Sequence, residues 1–158
     1  MEMNNNDLLI FLVKAKKETY ASGTGQFSTS ALLEGSHQLE YEQGDYLYRD
    51  IYYGSHFFVG QEIVYFKGKP IWSMSYAGGT TIELDQETLE FFPKFHKKAM
   101  RQISERNPFR GPNEFYEEEY TYTDKHEGDI ERFTGIEKIL QSDLEIYQLN
   151  YTGGLIHR

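Results

Sequence analysis

The chain contains no cysteine, and this absence excludes disulfide bonds, zinc–thiolate sites and thiol catalysis. It also lacks any run close to the roughly 20 apolar residues that a membrane-spanning helix needs. The short apolar run near the N terminus has neither the preceding basic stretch nor the following cleavage site that mark a secretory signal. We therefore expect a cytoplasmic protein with no membrane partner.

Positive charge is scarce as well. The 16 lysines and arginines are outnumbered by 25 aspartates and glutamates, which leaves a formal net charge of −9. A protein with this charge repels the phosphate groups of nucleic acids. We therefore expect no nucleic-acid partner.

The familiar signatures of catalytic and cofactor sites are also missing. The chain has no HExxH sequence, no nucleophile elbow and no phosphate-binding glycine loop. Its five histidines show no metal-ligand spacing. We expect neither a metal nor another cofactor, and an enzyme is the less favoured interpretation.

Aromatic residues are abundant, with 13 tyrosines and 11 phenylalanines, and many of them lie in a segment that occurs twice. FVGQEIVYFKGKPIWSMSYAGG (58–79) aligns without gaps with FTGIEKILQSDLEIYQLNYTGG (133–154), and seven positions are identical. Chance would give about one or two identities over this length. The alignment predicts an internal duplication.

Hydrophobic periodicity predicts two amphipathic helices, over residues 7–19 and 86–104. After each helix come three segments that are dense in aromatic and β-branched residues and bounded by turn residues, which is typical of strands. These segments are 46–53, 57–66 and 70–77 in the first half, and 115–123, 129–140 and 144–152 in the second.

The predicted helices and antiparallel strands give an α+β fold. Neither half can bury its apolar face alone, so we expect the two halves to pack together. A helix plus three antiparallel strands occurs twice, and the two copies form a six-stranded antiparallel sheet with both helices on one face. Residues 1–158 form a single domain with repeats at about 7–79 and 86–154. The irregular segment 22–37 is either a long tether or a lid over a binding site. The pattern leaves open which face of the sheet the helices cover.

Glu62 and Glu137 occupy equivalent places in the middle strand of each half, among aromatic residues. Tyr48 and Tyr122 on the neighbouring strands are candidate hydroxyl donors to them. In a structural interpretation, these Tyr–Glu hydrogen bonds only lock the sheet, as most buried polar groups do. In a functional interpretation, the two carboxylates line an aromatic cleft between the repeats, which suits a cationic or aromatic ligand.

On the functional interpretation, the ligand-binding residues are aromatic side chains and carboxylates from both halves. They are Tyr48, Glu62, Trp72, Tyr76, Tyr122, Glu137, Tyr147 and Tyr151. A second repeated acidic pair, Asp50 and Asp124, lies near strand ends, where we expect aspartates to bond with backbone amides.

Several segments resemble a bacterial domain family of unknown function. The resemblance is carried by SHQLEYEQGDYLYRD, VGQEIVYFKGKPIWSMSYAGG, PFRGP and the closing YTGGLI, and it spans residues 8–156. Members of that family occur alone or behind a helix-turn-helix regulator of the XRE type. The resemblance implies a sensing or effector-binding role in those members, and it assigns no catalytic residue.

These observations favour a domain that binds or senses a small apolar or cationic molecule in a cleft between the repeats. The alternative is a protein-interaction or self-assembly domain without a ligand, in which the aromatic residues form only the core and the chain forms a homo-oligomer. A third interpretation is an enzyme that uses Glu62 or Glu137 as a general acid or base.

Overall fold

A computed structural model describes residues 4–22 and 28–156 of the chain. Its helices and strands follow one another in the order α1 (Asn5–Glu18), β1 (His37–Gln43), β2 (Tyr46–Gly54), β3 (Phe57–Phe66), β4 (Lys69–Thr80), α2 (Gln86–Met100), β5 (Glu114–Glu117), β6 (Tyr120–Asp129), β7 (Arg132–Gln141) and β8 (Leu144–Leu155).

Both helices begin at a polar cap. The Asn4 side chain accepts a hydrogen bond from the Asp7 amide, and the Asp85 side chain accepts one from the Thr88 amide. Such caps satisfy backbone donors that the first helical turn leaves free. Lysines in the last turn of each helix oppose the negative end of the helix dipole.

All eight strands form one antiparallel sheet in the order β1-β2-β3-β4-β8-β7-β6-β5. The first meander, β1–β4, and the second meander, β5–β8, are joined edge to edge where β4 pairs with β8. Tyr76 lies directly opposite Tyr151 at the middle of this junction. These two tyrosines are equivalent in the sequence alignment, although the internal duplication itself stays a prediction.

The α+β class is confirmed, but the prediction of six strands, with each helix followed by three, was wrong. Each helix precedes four strands. Strand β1 lies at a sheet edge and its sequence, HQLEYEQ, is largely polar, so it lacks the hydrophobic signal of a strand. The predicted strand 115–123 is divided into β5 and β6 by a turn at Glu118, which takes a positive φ of 55° without a glycine to indicate it.

Both helices lie on the same face of the sheet, here called the covered face. Alternation along the strands directs Tyr48, Val64, Trp72 and Met74 to this face in the first meander, and all four are fully buried. Helix α1 packs Phe11 against Tyr46 with ring centroids 4.8 Å apart, and α2 packs Phe91 against Tyr120 at 4.5 Å. The helices therefore bury aromatic side chains of both meanders.

Part of the irregular segment 22–37, residues 23–27, lies outside the described residues, and the tether and lid interpretations both stay predictions. Ser28, which follows this gap, forms an isolated antiparallel bridge with Leu39 of β1. Neither helix within the described residues is long and apolar enough to cross a bilayer.

Candidate functional site

Four carboxyl groups lie on the covered face, beneath the helices. Asp50 pairs with Glu62 across β2 and β3, and Asp124 pairs with Glu137 across β6 and β7. None of the four is more than 4% exposed. A buried carboxylate without a partner is strongly unfavourable, so the partners of these groups define the chemistry of the site.

Glu137 has a full set of partners. Arg110 donates from Nε and Nη2 to its two oxygens at 3.1 Å each, and the Tyr122 and Tyr147 hydroxyls donate at 2.7 Å. His96 Nε2 lies 3.0 Å from Glu137 Oε1. Burial alone would raise the pKa of Glu137, but the charges of Arg110 and His96 hold it well below its usual range. Glu137 is therefore a fixed anion that orients four polar side chains through five contacts.

Glu62 has one close partner. Lys16 Nζ lies 2.6 Å from Glu62 Oε2, and both side chains are completely buried. Apart from this contact, neither oxygen of Glu62 accepts a hydrogen bond within the described part of the chain, and the Tyr48 hydroxyl is unbonded there too. Lys16 also donates to the Phe109 carbonyl at 2.5 Å. Burial lowers the pKa of Lys16, while the charge of Glu62 opposes that shift.

Both aspartates accept hydrogen bonds from tyrosines, and Asp124 is also bonded by the backbone amide of Gly111 in the link before β5. The Tyr76 hydroxyl donates to Asp50 Oδ1, and the Tyr151 hydroxyl donates to Asp124 Oδ1, both at 2.7 Å. Burial raises the pKa of both carboxyl groups to about 7, and the neighbouring Glu62 adds to the shift of Asp50. Each aspartate therefore changes its protonation near neutral pH.

Two glycines make room for these tyrosines. A Cβ on Gly60 would collide with the ring and hydroxyl of Tyr76, and a Cβ on Gly135 would collide with those of Tyr151. The repeated glycine of the sequence alignment therefore allows a tyrosine ring to lie flat across the neighbouring strand.

A cleft opens between the end of α1 and the length of α2, over the middle of the sheet. This interhelical cleft has a volume of about 570 Å³. Its wall and floor include Phe58, Phe92 and Tyr147, and Thr19 and Tyr20 close one side. An adjoining hollow of about 450 Å³ shares Tyr20, Tyr52, Ser55, Phe58, Pro93 and Lys97 with it and reaches Asp50, Tyr76 and Arg110. Because the two hollows share these lining residues, they are here together called the depression.

Two of the eight residues predicted to bind a ligand line this depression, Tyr147 and Tyr76. The other six, Tyr48, Glu62, Trp72, Tyr122, Glu137 and Tyr151, lie in the core beneath and beside it. The structure thus brings the predicted residues to one face, but it sets most of them behind the cleft surface.

Sequence reasoning missed the buried cations Lys16 and Arg110 and the contact of His96 with Glu137. Lys16 left one usable signal, since it follows Leu8 and Leu12 at four-residue spacing and so lies on the apolar side of α1. Arg110 lies in an irregular link between α2 and β5, where no periodicity indicates burial. Within residues 4–22 and 28–156, no group of three or more histidine, aspartate or glutamate side chains could hold a metal ion.

The chain matches a known protein family over residues 50–156. A family model described as a domain of unknown function, DUF5680, matches residues 50–156. The chain belongs to the DUF5680 family. The part of the chain that the family model matches includes α2, Arg110 and all four buried carboxyl groups. Lys16 and Tyr20 precede it. No curated protein and no solved structure gives a significant match. The bacterial origin and the link to XRE-type regulators, which the sequence resemblance implied, stay predictions.

Proposed function

We propose that this DUF5680 domain binds a small molecule with an aromatic or otherwise apolar body in the interhelical cleft. The observation that carries the proposal is the cleft itself, whose volume of about 570 Å³ falls in the range of known ligand pockets, roughly 300–1,000 Å³. Such pockets combine apolar walls with a few fixed polar groups, and this cleft has both.

The walls offer ring surfaces at suitable angles for a flat molecule. Phe92 and Tyr147 have ring centroids 5.3 Å apart, and Phe58 lies 6.4 Å from Tyr147. Aromatic groups prefer offset or tilted contacts at about these separations. An aromatic ligand between Phe58 and Phe92 would replace water on several ring faces at once.

The polar groups near the cleft are held in place before any ligand arrives. Glu137 fixes the Tyr147 hydroxyl and the His96 ring. The Tyr20 hydroxyl is buried and has no hydrogen-bond partner within the described residues. Since a buried hydroxyl usually finds a partner, a polar atom of the ligand would satisfy it.

The carboxylates of Glu62 and Glu137 are not available to hold a cationic ligand. Lys16 and Arg110 already lie against those carboxylates inside the protein. The proposal therefore depends on the aromatic lining and not on a free counter-charge.

The test uses the neutral fluorescent probe N-phenyl-1-naphthylamine with the full chain. We expect saturable binding that Ser55→Trp weakens by about tenfold or more, because Ser55 lies exposed on the rim of both hollows and an indole there would fill the space. Ser55→Ala at the same position leaves the space open and should bind as the wild type does. Absence of saturable binding, or equal affinity in Ser55→Trp, would contradict the proposal.

A second candidate function, self-association, is favoured by the face of the sheet that the helices leave open. Phe57 is 61% exposed, and Val59 and Ile136 are 49% and 41% exposed. Exposed apolar surface of this kind is typical of protein–protein contacts. Sedimentation equilibrium should then give a mass above the 18.6 kDa of one chain, and Val59→Lys should return it to that value. A monomer at all concentrations would exclude this function.

A further inference from the structure

We propose that the ligand of the interhelical cleft carries an acidic group on its aromatic or apolar body, so that it binds as an anion. This inference rests on the proposed function and names the chemical class of the molecule. It follows from which charged groups line the depression and which charged groups have already been neutralised within the protein.

Apart from tyrosines, the ionisable side chains that line the interhelical cleft within the described residues are a lysine and histidines. His56, His96 and Lys97 line it, together with tyrosines, and no aspartate or glutamate of the described residues does. The adjoining hollow adds His37 and Arg110 and a single carboxyl group, Asp50. Arg110 lies against Glu137, so Lys97 supplies the unpaired positive charge of this lining, on a chain whose net charge is −9.

The acidic groups nearest the cleft have partners of their own. Glu62 lies against Lys16, and Glu137 lies against Arg110 and His96. Asp50 accepts a hydrogen bond from Tyr76, and burial raises its pKa to about 7, so that it is partly neutral at neutral pH. A ligand anion would therefore meet little opposing negative charge.

Lys97 is the basic group that remains available to a ligand. It forms no ion pair within the described residues, whereas the next residue, Lys98, reaches Glu117 Oε1 at 2.5 Å on the far side of α2. Lys97 lines both hollows and is exposed at their rim. Its ammonium group can thus meet a carboxylate while the rings of Phe92 and Tyr147 contact the apolar body.

The opposite charge on a ligand would be unfavourable in the same place. A cation in the cleft would lie near the ammonium group of Lys97, and the carboxylates that could offset this repulsion are already bound to Lys16 and Arg110. Like charges at close range in a partly desolvated site lower affinity. The charges of the cleft therefore select an acid over an amine with the same ring.

The test compares three probes that share one ring system and differ in charge: 2-naphthoate, 2-naphthylmethanol and 2-naphthylmethylammonium. Their dissociation constants are measured by isothermal titration calorimetry with the full chain at neutral pH and low salt. We expect 2-naphthoate to bind about tenfold tighter than the alcohol, and the ammonium compound to bind most weakly. Added salt should weaken the binding of 2-naphthoate alone.

Two variants of α2 locate the charge effect. Lys97→Gln should weaken 2-naphthoate binding severalfold and leave the alcohol unchanged. Lys94→Gln is the matched control, because Lys94 is also exposed on α2 and also has no ion pair within the described part of the chain, but it does not line the cleft. This control should bind all three probes as the wild type does.

The outcomes separate the two proposals. Binding of none of the three probes would overturn both the proposed function and this inference. Equal binding of all three, tightest binding of the ammonium compound, or equal effects of Lys97→Gln and Lys94→Gln would overturn the inference alone. Tightest binding of 2-naphthoate with its loss confined to Lys97→Gln would support it.

Discussion

Glu62 and Glu137 lie in matching positions of the two meanders, and both side chains are completely buried, yet their surroundings differ. Glu137 binds an arginine through two hydrogen bonds and also contacts two tyrosine hydroxyls and a histidine. Glu62 contacts one lysine. The position on the strand therefore determines that the carboxylate is buried. Other parts of the chain determine which side chains balance its negative charge.

The same contrast applies to the two tyrosines that we predicted to donate hydrogen bonds to these glutamates. Tyr122 donates its hydroxyl to Glu137 at 2.7 Å, but the buried hydroxyl of Tyr48 has no hydrogen-bond partner within the described residues. The second meander thus has a connected polar network beneath the cleft, and the first has an ion pair with one further hydrogen bond, from Lys16 to the Phe109 carbonyl. Removing part of a buried hydrogen-bond network is therefore expected to cost more stability than replacing both members of a single ion pair.

The largest effect is expected at Arg110. Arg110→Met leaves the Glu137 charge buried without its main partner, and removal of one member of a buried ion pair costs about 3–5 kcal/mol of unfolding free energy. The measurement is urea denaturation followed by circular dichroism. The double variant Arg110→Met/Glu137→Met should remain destabilised, because the Tyr122 and Tyr147 hydroxyls then lose their acceptor.

Recovery of wild-type stability in that double variant would contradict the network interpretation. It would mean that Glu137 and Arg110 compensate only each other, as Glu62 and Lys16 are expected to do.

A smaller net effect is expected in the first meander. Lys16→Met alone should lower the unfolding free energy by about 3 kcal/mol, because Glu62 is left buried and unpaired. The double variant Lys16→Met/Glu62→Met should return to within about 1 kcal/mol of the wild type, since an isolated buried pair can be replaced by apolar side chains at little cost. Urea denaturation under the same conditions gives both values.

If the double variant is no more stable than Lys16→Met, then Glu62 has a second structural role that its single ion pair does not account for. The difference between the two double variants is the direct measure of the contrast between the meanders.

The smallest effect is expected in the pH dependence of stability. Asp124 has a folded-state pKa raised to about 7 from an ordinary value of 3.8, so the folded state holds its proton in a range where the unfolded chain has lost it. The stabilisation that comes from this proton is fully present below the unfolded-state pKa of 3.8 and is lost as the pH rises through the folded-state pKa of about 7. The loss amounts to about 1 kcal/mol between about pH 6 and pH 8.

Asp124→Asn replaces the carboxyl with a group that cannot ionise, so its unfolding free energy should fall less than that of the wild type over this range. Denaturation curves at several pH values give the comparison. Asp143→Asn, in the exposed turn between β7 and β8, is the control and should follow the wild type. Parallel pH profiles for all three proteins would show that Asp124 does not titrate near pH 7.

Much of the fold was accessible from local patterns. The two helices followed from their hydrophobic periodicity, and the strands around Trp72 and Tyr147 followed from their dense aromatic and β-branched residues, but the face that the helices cover did not follow from either pattern. The edge strand β1 and the turn at Glu118 escaped prediction because their residues are polar and neither carries a glycine or an apolar repeat at the decisive position.

Alternation within the strands was enough to show that Glu62 and Glu137 share a face with large aromatic residues, since side chains two residues apart point the same way. Only the tertiary packing decided that α1 brings Lys16 to one glutamate, while α2 and the link after it bring His96 and Arg110 to the other. Those partners come from distant parts of the chain and no local period relates them to the strands. The basic lining of the cleft has the same origin.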